Sequence, residues 1–189
     1  QAQLTALADL GPTLAQGYAR EFEALFGGQK EGLGQPVAFA LEGVEGVAYF
    51  SPRGGRLARE ALLKRLSEAQ REVLVAAFVL TDREVLEALL QARRRGAEVK
   101  VLLETRNLGT SREEALLEEG LEVRQDANPY TMHHKVMLLD GTYVVTGSYN
   151  FSVRAHEVNN ENLLVLKSPS LAERYRKEVL RLWEAGSPL

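Results

Sequence analysis

The chain has no cysteine among its 189 residues, and it has one tryptophan, two methionines and three histidines. Without cysteine there is no disulfide framework and no thiolate metal site, and the redox compartment is left unmarked. Long apolar runs are missing as well. No uninterrupted stretch approaches the roughly 20 residues that cross a membrane, and no secretory signal is visible. A basic surplus is also lacking: 23 Lys and Arg stand against 26 Asp and Glu, a net charge of −3. Proteins that coat duplex nucleic acid usually carry excess positive charge, so any nucleic-acid contact is expected to be local. Gln1 stands where a methionine would begin a complete chain, which leads us to expect a fragment.

What remains is ordinary globular composition, 45% hydrophobic and 26% charged, on a chain long enough for one domain with a substantial core. The Gly-rich stretch "GGQKEGLGQP", 27–36, has the chemistry of a linker or long turn and divides the chain. Beyond it, strands and helices alternate. "VAFALEG" and "GVAYFSP" read as short strands. "RLAREALLKRLSEAQ" reads as a helix with Leu57, Ala61, Leu62 and Leu66 on one stripe. "EVLVAAFVL" is nearly all apolar, as expected of a strand covered on both faces. In "DREVLEALLQARRRG", Asp82 suits a helix start, and Arg93 to Arg95 suit its end before Gly96. "EVKVLLE" and "LEVRQ" are further strands with the short helix "SREEALLEEG" between them. "ENLLVL" is a last strand and "SPSLAERYRKEVLRLWEA" a closing helix. The pattern predicts an α/β fold, a mixed β-sheet flanked by helices on both faces.

The closing helix has an echo. "PTLAQGYAREFEALF", 12–26, aligns without gaps on "PSLAERYRKEVLRLW", 169–183. Pro12, Leu14, Ala15, Tyr18, Glu21 and Leu25 are identical to Pro169, Leu171, Ala172, Tyr175, Glu178 and Leu182, and Phe26 falls opposite Trp183. Amphipathic helices share Leu, Ala and Glu cheaply. A shared first-turn proline and a tyrosine in register argue for duplication. We therefore expect residues 1–26 to be the terminal helix of a preceding repeat, 27–36 a linker, and 37–189 the domain proper.

The chemistry concentrates in "MHHKVMLLDGTYVVTGSYN", 132–150. Read as a strand, His133 and Lys135 share a face with Met137 and Leu139, while His134 shares the other with Val136 and Leu138. Asp140-Gly141 signals a tight turn, so "YVVTGS" folds back beside it. The fold-back brings Ser148 and Asn150 towards His133 and Lys135, beside Gly147, which admits close backbone approach. One imidazole, one ammonium, a hydroxyl and a carboxamide so converged can hold a tetrahedral anion and attack it.

The spacing His-x-Lys, four residues, Asp, six residues, Gly-Ser-x-Asn resembles the signature of the phospholipase D superfamily, the HKD phosphodiesterases. "GSYNFS" and "NNEN" are similar to its small bacterial endonuclease and cardiolipin hydrolase branch. "YFSP", "RRRGAEVKVLLE" and "ENLLVL" extend the likeness over most of 45–185. The resemblance implies a phospholipase D-like fold and two copies of the motif meeting across a twofold axis. One histidine attacks the phosphodiester to give a phosphohistidine. The other protonates the leaving oxygen and then activates water or an alcohol. It implies no cofactor and no metal. Carried onto this chain, His133 is the nucleophile or the acid/base, Lys135 and Asn150 clamp phosphate, and Glu161 bonds the second nitrogen of the imidazole. Gly147 and Ser148 support the phosphate oxygens, and Asp140, placed in a turn, is structural.

Of the three histidines, His133, His134 and His156, only His133 begins a His-x-Lys. The second motif must then come from a missing N-terminal half or a homodimer partner. His134 reads as a packed or solvent-facing residue, and His156 as a loop residue. Arg93 to Arg95 fit a helix end better than a phosphate patch. "TRNLGTSR", 105–112, follows a strand, where α/β folds bind ligands, making Arg106, Asn107 and Arg112 candidate contacts. Tyr130 is placed to stack a base or line an acyl groove. Three readings compete: a nuclease acting on single- or double-stranded DNA, a phospholipase D or transphosphatidylase acting on phospholipid, and a non-catalytic binding or dimerisation half.

Overall fold

Strand β3 (Glu72–Ala77) explains why "EVLVAAFVL" carries almost no polar residue. In the computed structural model, which describes residues 11–189, β3 lies inside a nine-stranded sheet with both faces covered. Val73, Val75 and Ala77 pack into one core and Leu74 and Ala76 into another. The first ten residues of the 1–26 segment lie outside the described residues.

The remaining elements are α1 (Gly11–Phe26), β1 (Val37–Leu41), β2 (Val44–Phe50), α2 (Gly55–Glu68), α3 (Arg83–Arg94) and β4 (Glu98–Leu103). A 3-10 turn at Thr105–Asn107 leads to α4 (Glu113–Glu118), β5 (Glu122–Gln125), β6 (Lys135–Leu139) and β7 (Tyr143–Gly147). Then follow α5 (Val153–Glu157), β8 (Asn162–Lys167), α6 (Pro169–Ala185) and β9 (Ser187–Pro188). The sheet order is β1-β2-β8-β7-β6-β3-β4-β5-β9. β3, β4 and β5 are parallel, whereas β6 runs antiparallel to β3 and opens an antiparallel half. The sheet is mixed and flanked on both faces, as the strand–helix alternation predicts.

Helices α2, α3, α4 and α5 contribute to the core that holds Met137 and Leu139 of β6. Helices α1 and α6 contribute to the core that holds Val136 and Leu138. The expected alternation along the strand is therefore present. Two local expectations fail. In α2 the buried residues are Gly55, Ala58, Leu62 and Leu66, while Leu57 is 39% exposed. The helix presents its i, i+4 row of Ala58 and Leu62 to the sheet and turns Leu57 towards an open groove beside β1 and β2. "VRAHE" is not loop but the short helix α5, packed so closely on α2 that a side chain at Gly55 would strike the His156 carbonyl.

The N-terminal segment packs on the same sheet. Leu14 is buried with Phe39 and Phe50, and Tyr18 meets the Phe50 ring edge-on at 4.9 Å. Residues 27–36 are held in place: the Glu21 carboxylate accepts the N–H groups of Leu33 and Gly34. Gly34, at φ +67°, lies so close to Gly54 that a Cβ would sit 2.4 Å from its nitrogen.

The β6–β7 turn is closed by the Thr142 N–H bonding the Leu139 carbonyl at 3.1 Å, with positive φ at Asp140 (55°) and Gly141 (63°). The Asp140 carboxylate accepts the backbone N–H groups of Gln70, Arg71 and Glu72 at 2.9, 2.8 and 3.0 Å. Asp140 thus ties the hairpin to the start of β3, at the edge of the sheet remote from the start of β6. Its partial burial opposes ionisation, yet the three backbone donors outweigh that and hold its carboxyl below the ordinary value. Asp140→Ala is expected to cost about 2 kcal/mol in urea unfolding. Because the folded carboxyl is the stronger acid, this contribution is full above an unfolded pKa of about 3.9 and lost as pH falls through the lower folded value. A gap between wild type and variant that persisted undiminished in strong acid would show that the carboxylate is not its source.

Candidate active site

Parallel strands deliver their carboxyl ends to one edge of a sheet, and in α/β folds that edge is where loops gather around ligands. Here β3 ends at Ala77, β4 at Leu103 and β7 at Gly147, while the antiparallel β6 and β8 begin at Lys135 and Asn162. The motif residues meet at this edge.

Lys135 pairs with Ala77 of β3, and its side chain is 4% exposed. Continuing the β6–β7 register brings it opposite Gly147. Its ammonium donates to the His133 carbonyl at 2.7 Å and lies 4.9 Å from the centre of the Phe78 ring. One carbonyl and one aromatic face are meagre compensation for a buried charge. Burial pulls the Lys135 pKa down from 10.5 to about 8, with the Glu161 carboxylate opposing the shift.

His133 precedes β6 rather than opening it. Its exposed ring meets Phe78 edge-on, with centroids 4.5 Å apart. Burial first, and the Lys135 charge second, hold its pKa below the ordinary 6.5, against the pull of Glu161. The imidazole is therefore mainly neutral at pH 7 and retains a lone pair. His134 extends the β6–β3 ladder through its carbonyl, which accepts the Phe78 N–H at 2.8 Å. Its ring feels Glu178 of α6 and Asp126, placing it on the opposite side from His133, as the alternation predicts.

Asn150, just past β7, has a buried carboxamide oxygen that meets no partner among the described residues. The Ser148 hydroxyl oxygen accepts two bonds from Asn162, from its backbone N–H at 3.0 Å and its amide at 3.2 Å. Gly147 admits a close backbone approach. At φ +138°, a Cβ there would sit 2.3 Å from the Asn162 carbonyl, so the glycine admits the neighbouring strand β8. Glu161 departs from expectation. Among the described residues its carboxylate accepts only a 3.4 Å bond from Asn159 and makes none to His133. It acts on His133 and Lys135 through charge. Its backbone is pinned instead, for Ser51 both accepts the Glu161 N–H and donates its own N–H to the Glu161 carbonyl.

Arg106 and Tyr130 reach the rim. The Arg106 guanidinium bonds the Thr131 hydroxyl, two residues before His133, and Tyr130 is 79% exposed. The other candidates are structural or lie elsewhere. Asn107 donates to the Phe78 carbonyl at 2.7 Å. Arg112 takes a left-handed conformation at the start of α4. Arg94 pairs with Glu119, and Arg95 bonds the carbonyls of Leu66 and Ala69. His156 is packed beside the buried Asp82–Arg59 pair, away from the cluster.

Phe78, Glu104 and Asn162 were not foreseen. Phe78 looked like part of an apolar strand, and only its place just past the end of β3 sets it beneath His133 and Lys135. The buried Glu104 carboxylate accepts the Met132 N–H and so fixes the approach to His133. "NNEN" contained Asn162, but no spacing rule tied it to Ser148.

A family model described as "Cardiolipin synthase, PLD-like domain" matches residues 62–183. The chain belongs to the phospholipase D-like family. It is 36% identical over 129 residues to a mitochondrial cardiolipin hydrolase of Xenopus laevis, covering 67% of this chain and 61% of that protein. It is 33% identical over 128 residues to a phospholipase D of Rickettsia typhi, covering 67% and 62%. The chain thus spans about three fifths of the length of these curated relatives. A phospholipase D family member, Nuc from Salmonella typhimurium, superposes with a TM-score of 0.71 at 30% identity, over 77% of this chain and 98% of that one. NucT from Helicobacter pylori shares the fold, with a TM-score of 0.70 at 21% identity.

In this phospholipase D-like domain the under-compensated Lys135 ammonium makes anion binding testable without turnover. Sulfate stays doubly charged across the working range, so any pH dependence belongs to the protein. A bound anion favours the ammonium form; sulfate affinity is expected to be full below about 8 and to fall as pH rises above it. Lys135→Met should lose this binding while melting no lower than wild type, because an apolar chain replaces a poorly paired charge. Titration calorimetry and thermal melts read both. Undiminished sulfate binding by the variant would remove Lys135 from the site.

Proposed function

We propose that the chain supplies one half of a phosphodiesterase site that works through a phosphohistidine and needs no metal. The observation that carries this reading is the buried Lys135 ammonium beside a neutral His133, with Asn150 at the same edge. A phosphodiester oxygen placed against the Lys135 ammonium completes the compensation that the protein leaves undone. His133 attacks phosphorus, the P–N bond forms, and the P–O bond to the leaving group breaks. The leaving oxygen takes its proton from the histidine of a second motif. That histidine then removes a proton from water, which attacks phosphorus, breaks the P–N bond and releases His133. Lys135, Asn150 and Ser148 hold the non-bridging oxygens throughout.

The second motif comes from outside these residues, since only His133 begins a His-x-Lys. Our reading favours a preceding repeat over a second copy. Phe22 and Phe26 of α1, 65% and 85% exposed and stacked on each other, occupy the positions of Val179 and Trp183, which α6 buries. A helix whose sheet-packing residues face outward fits a closing helix shared with another unit.

For substrate we favour nucleic acid, single-stranded DNA first. Arg106 and the exposed Tyr130 flank the approach to His133, offering a guanidinium for backbone phosphate and a ring for base stacking. A phospholipid is the second reading, supported by the relatives named cardiolipin hydrolase and phospholipase D. A non-catalytic binding half would follow if the partner motif lacked its histidine. The assembled two-motif protein is expected to cleave single-stranded DNA with chelator present, and His133→Ala to lower the rate by about a thousandfold or more. Cleavage of a phosphatidyl lipid alone would select the second substrate. A strict need for a divalent metal, or a near-normal rate for the variant, would reject the mechanism.

A further inference from the structure

Helix α1 lies outside the part of the chain that the family model matches, yet it reaches the motif edge. The Tyr18 hydroxyl donates to the Asn162 carboxamide oxygen at 3.0 Å, across 144 residues of sequence. With its oxygen engaged by Tyr18, the Asn162 amide presents its nitrogen to the Ser148 hydroxyl oxygen at 3.2 Å. The Asn162 backbone N–H reaches the same oxygen at 3.0 Å. Two donors occupy both lone pairs of that oxygen, so the Ser148 hydrogen is left to point at an external acceptor. We propose that Tyr18 is a positioning residue for the phosphate cradle, holding Asn162 in the rotamer that turns the Ser148 hydroxyl into a pure donor towards substrate oxygen. The inference rests on the phosphodiesterase reading of His133, Lys135 and Ser148.

Three further features suit Tyr18 to this role. Its ring is clamped edge-on against Phe50, so the hydroxyl is held at a set depth. Burial pushes its phenol pKa upward, so it remains a hydrogen donor at every working pH. Asn162 itself has little room to move, because Gly147 approaches its carbonyl more closely than any side chain would allow. The same helix braces the other side of the site: Glu21 holds Gly34, and Gly34 packs on Gly54, three residues after the Ser51 that pins Glu161. The N-terminal segment thus supports the cradle at both Ser148 and Glu161.

Inorganic sulfate serves as the probe, because its binding requires no partner motif and no turnover. Tyr18→Phe keeps the ring and its packing and removes only the donor. It is expected to weaken sulfate about three- to tenfold and to shift the Asn162 side-chain amide signals in the nuclear magnetic resonance spectrum. Ser148→Ala weakens sulfate on its own account. On the Ser148→Ala background, Tyr18→Phe should then cost nothing more, because its effect passes through the lost hydroxyl. Tyr18→Phe binding sulfate as tightly as the unaltered chain would overturn the inference and leave the phosphodiesterase reading standing. Additive losses in the double variant would also overturn it, by assigning Tyr18 to general packing. No sulfate binding by the unaltered chain would overturn both.

Discussion

A charge buried with too few partners organises this molecule. Among the described residues the Lys135 ammonium has one carbonyl, one ring face and the charge of Glu161 to offset its removal from water. Such a group persists only where the surrounding structure leaves it no alternative. Here the strand that carries it is wholly buried, its neighbour β3 is apolar on both faces, and β7 closes the other side with a glycine. The stability for this arrangement comes from the two cores on either side of the sheet, not from the site. An anion completes the compensation, so the same strain that weakens the free protein favours binding.

The two edges of the sheet divide the labour. At the motif edge two groups are under-paired among the described residues, the Asn150 carboxamide oxygen and the Lys135 ammonium. At the opposite edge the polar groups are well paired. Asp140 takes three backbone donors, and Arg176 makes a two-point contact with Glu72 at 2.9 and 2.8 Å. Each hydrogen-bonded carboxylate there joins elements distant in sequence: β6 to the start of β3, and α6 to the same strand. One signature therefore contains residues with opposite tasks. His133 and Lys135 face the ligand edge, and Asp140, five residues on, secures the other end of the strand.

Helix α1 has two unlike faces. Leu14, Tyr18 and Glu21 fit this domain, burying apolar area and supplying two hydrogen-bond anchors near the motif. Ala15, Phe22 and Phe26 stay exposed, at the positions where α6 uses Ala172, Val179 and Trp183 to cover the sheet. The two helices share a sequence pattern and put different parts of it to work, which is why similarity alone did not indicate how α1 packs.

By itself the sequence determined the element order, the two-sided burial of β3 and the signature that places His133, Lys135, Ser148 and Asn150 together. Each of these depends on local periodicity, turn chemistry or fixed spacing along one hairpin, and those are properties of neighbouring residues. The tight turn at Asp140 was legible likewise. Tertiary structure alone decided which groups from distant segments complete the site. Phe78 lies beneath the histidine because β3 ends one residue earlier, Glu104 meets Met132 because β4 ends beside the incoming loop, and Gly147 serves strand approach because β8 crosses there. Glu161 acts through charge without touching the imidazole, and Tyr18 reaches Asn162 because α1 folds back over β2 and β8. These contacts join residues far apart in the chain, and no periodicity in the sequence encodes the distance between them.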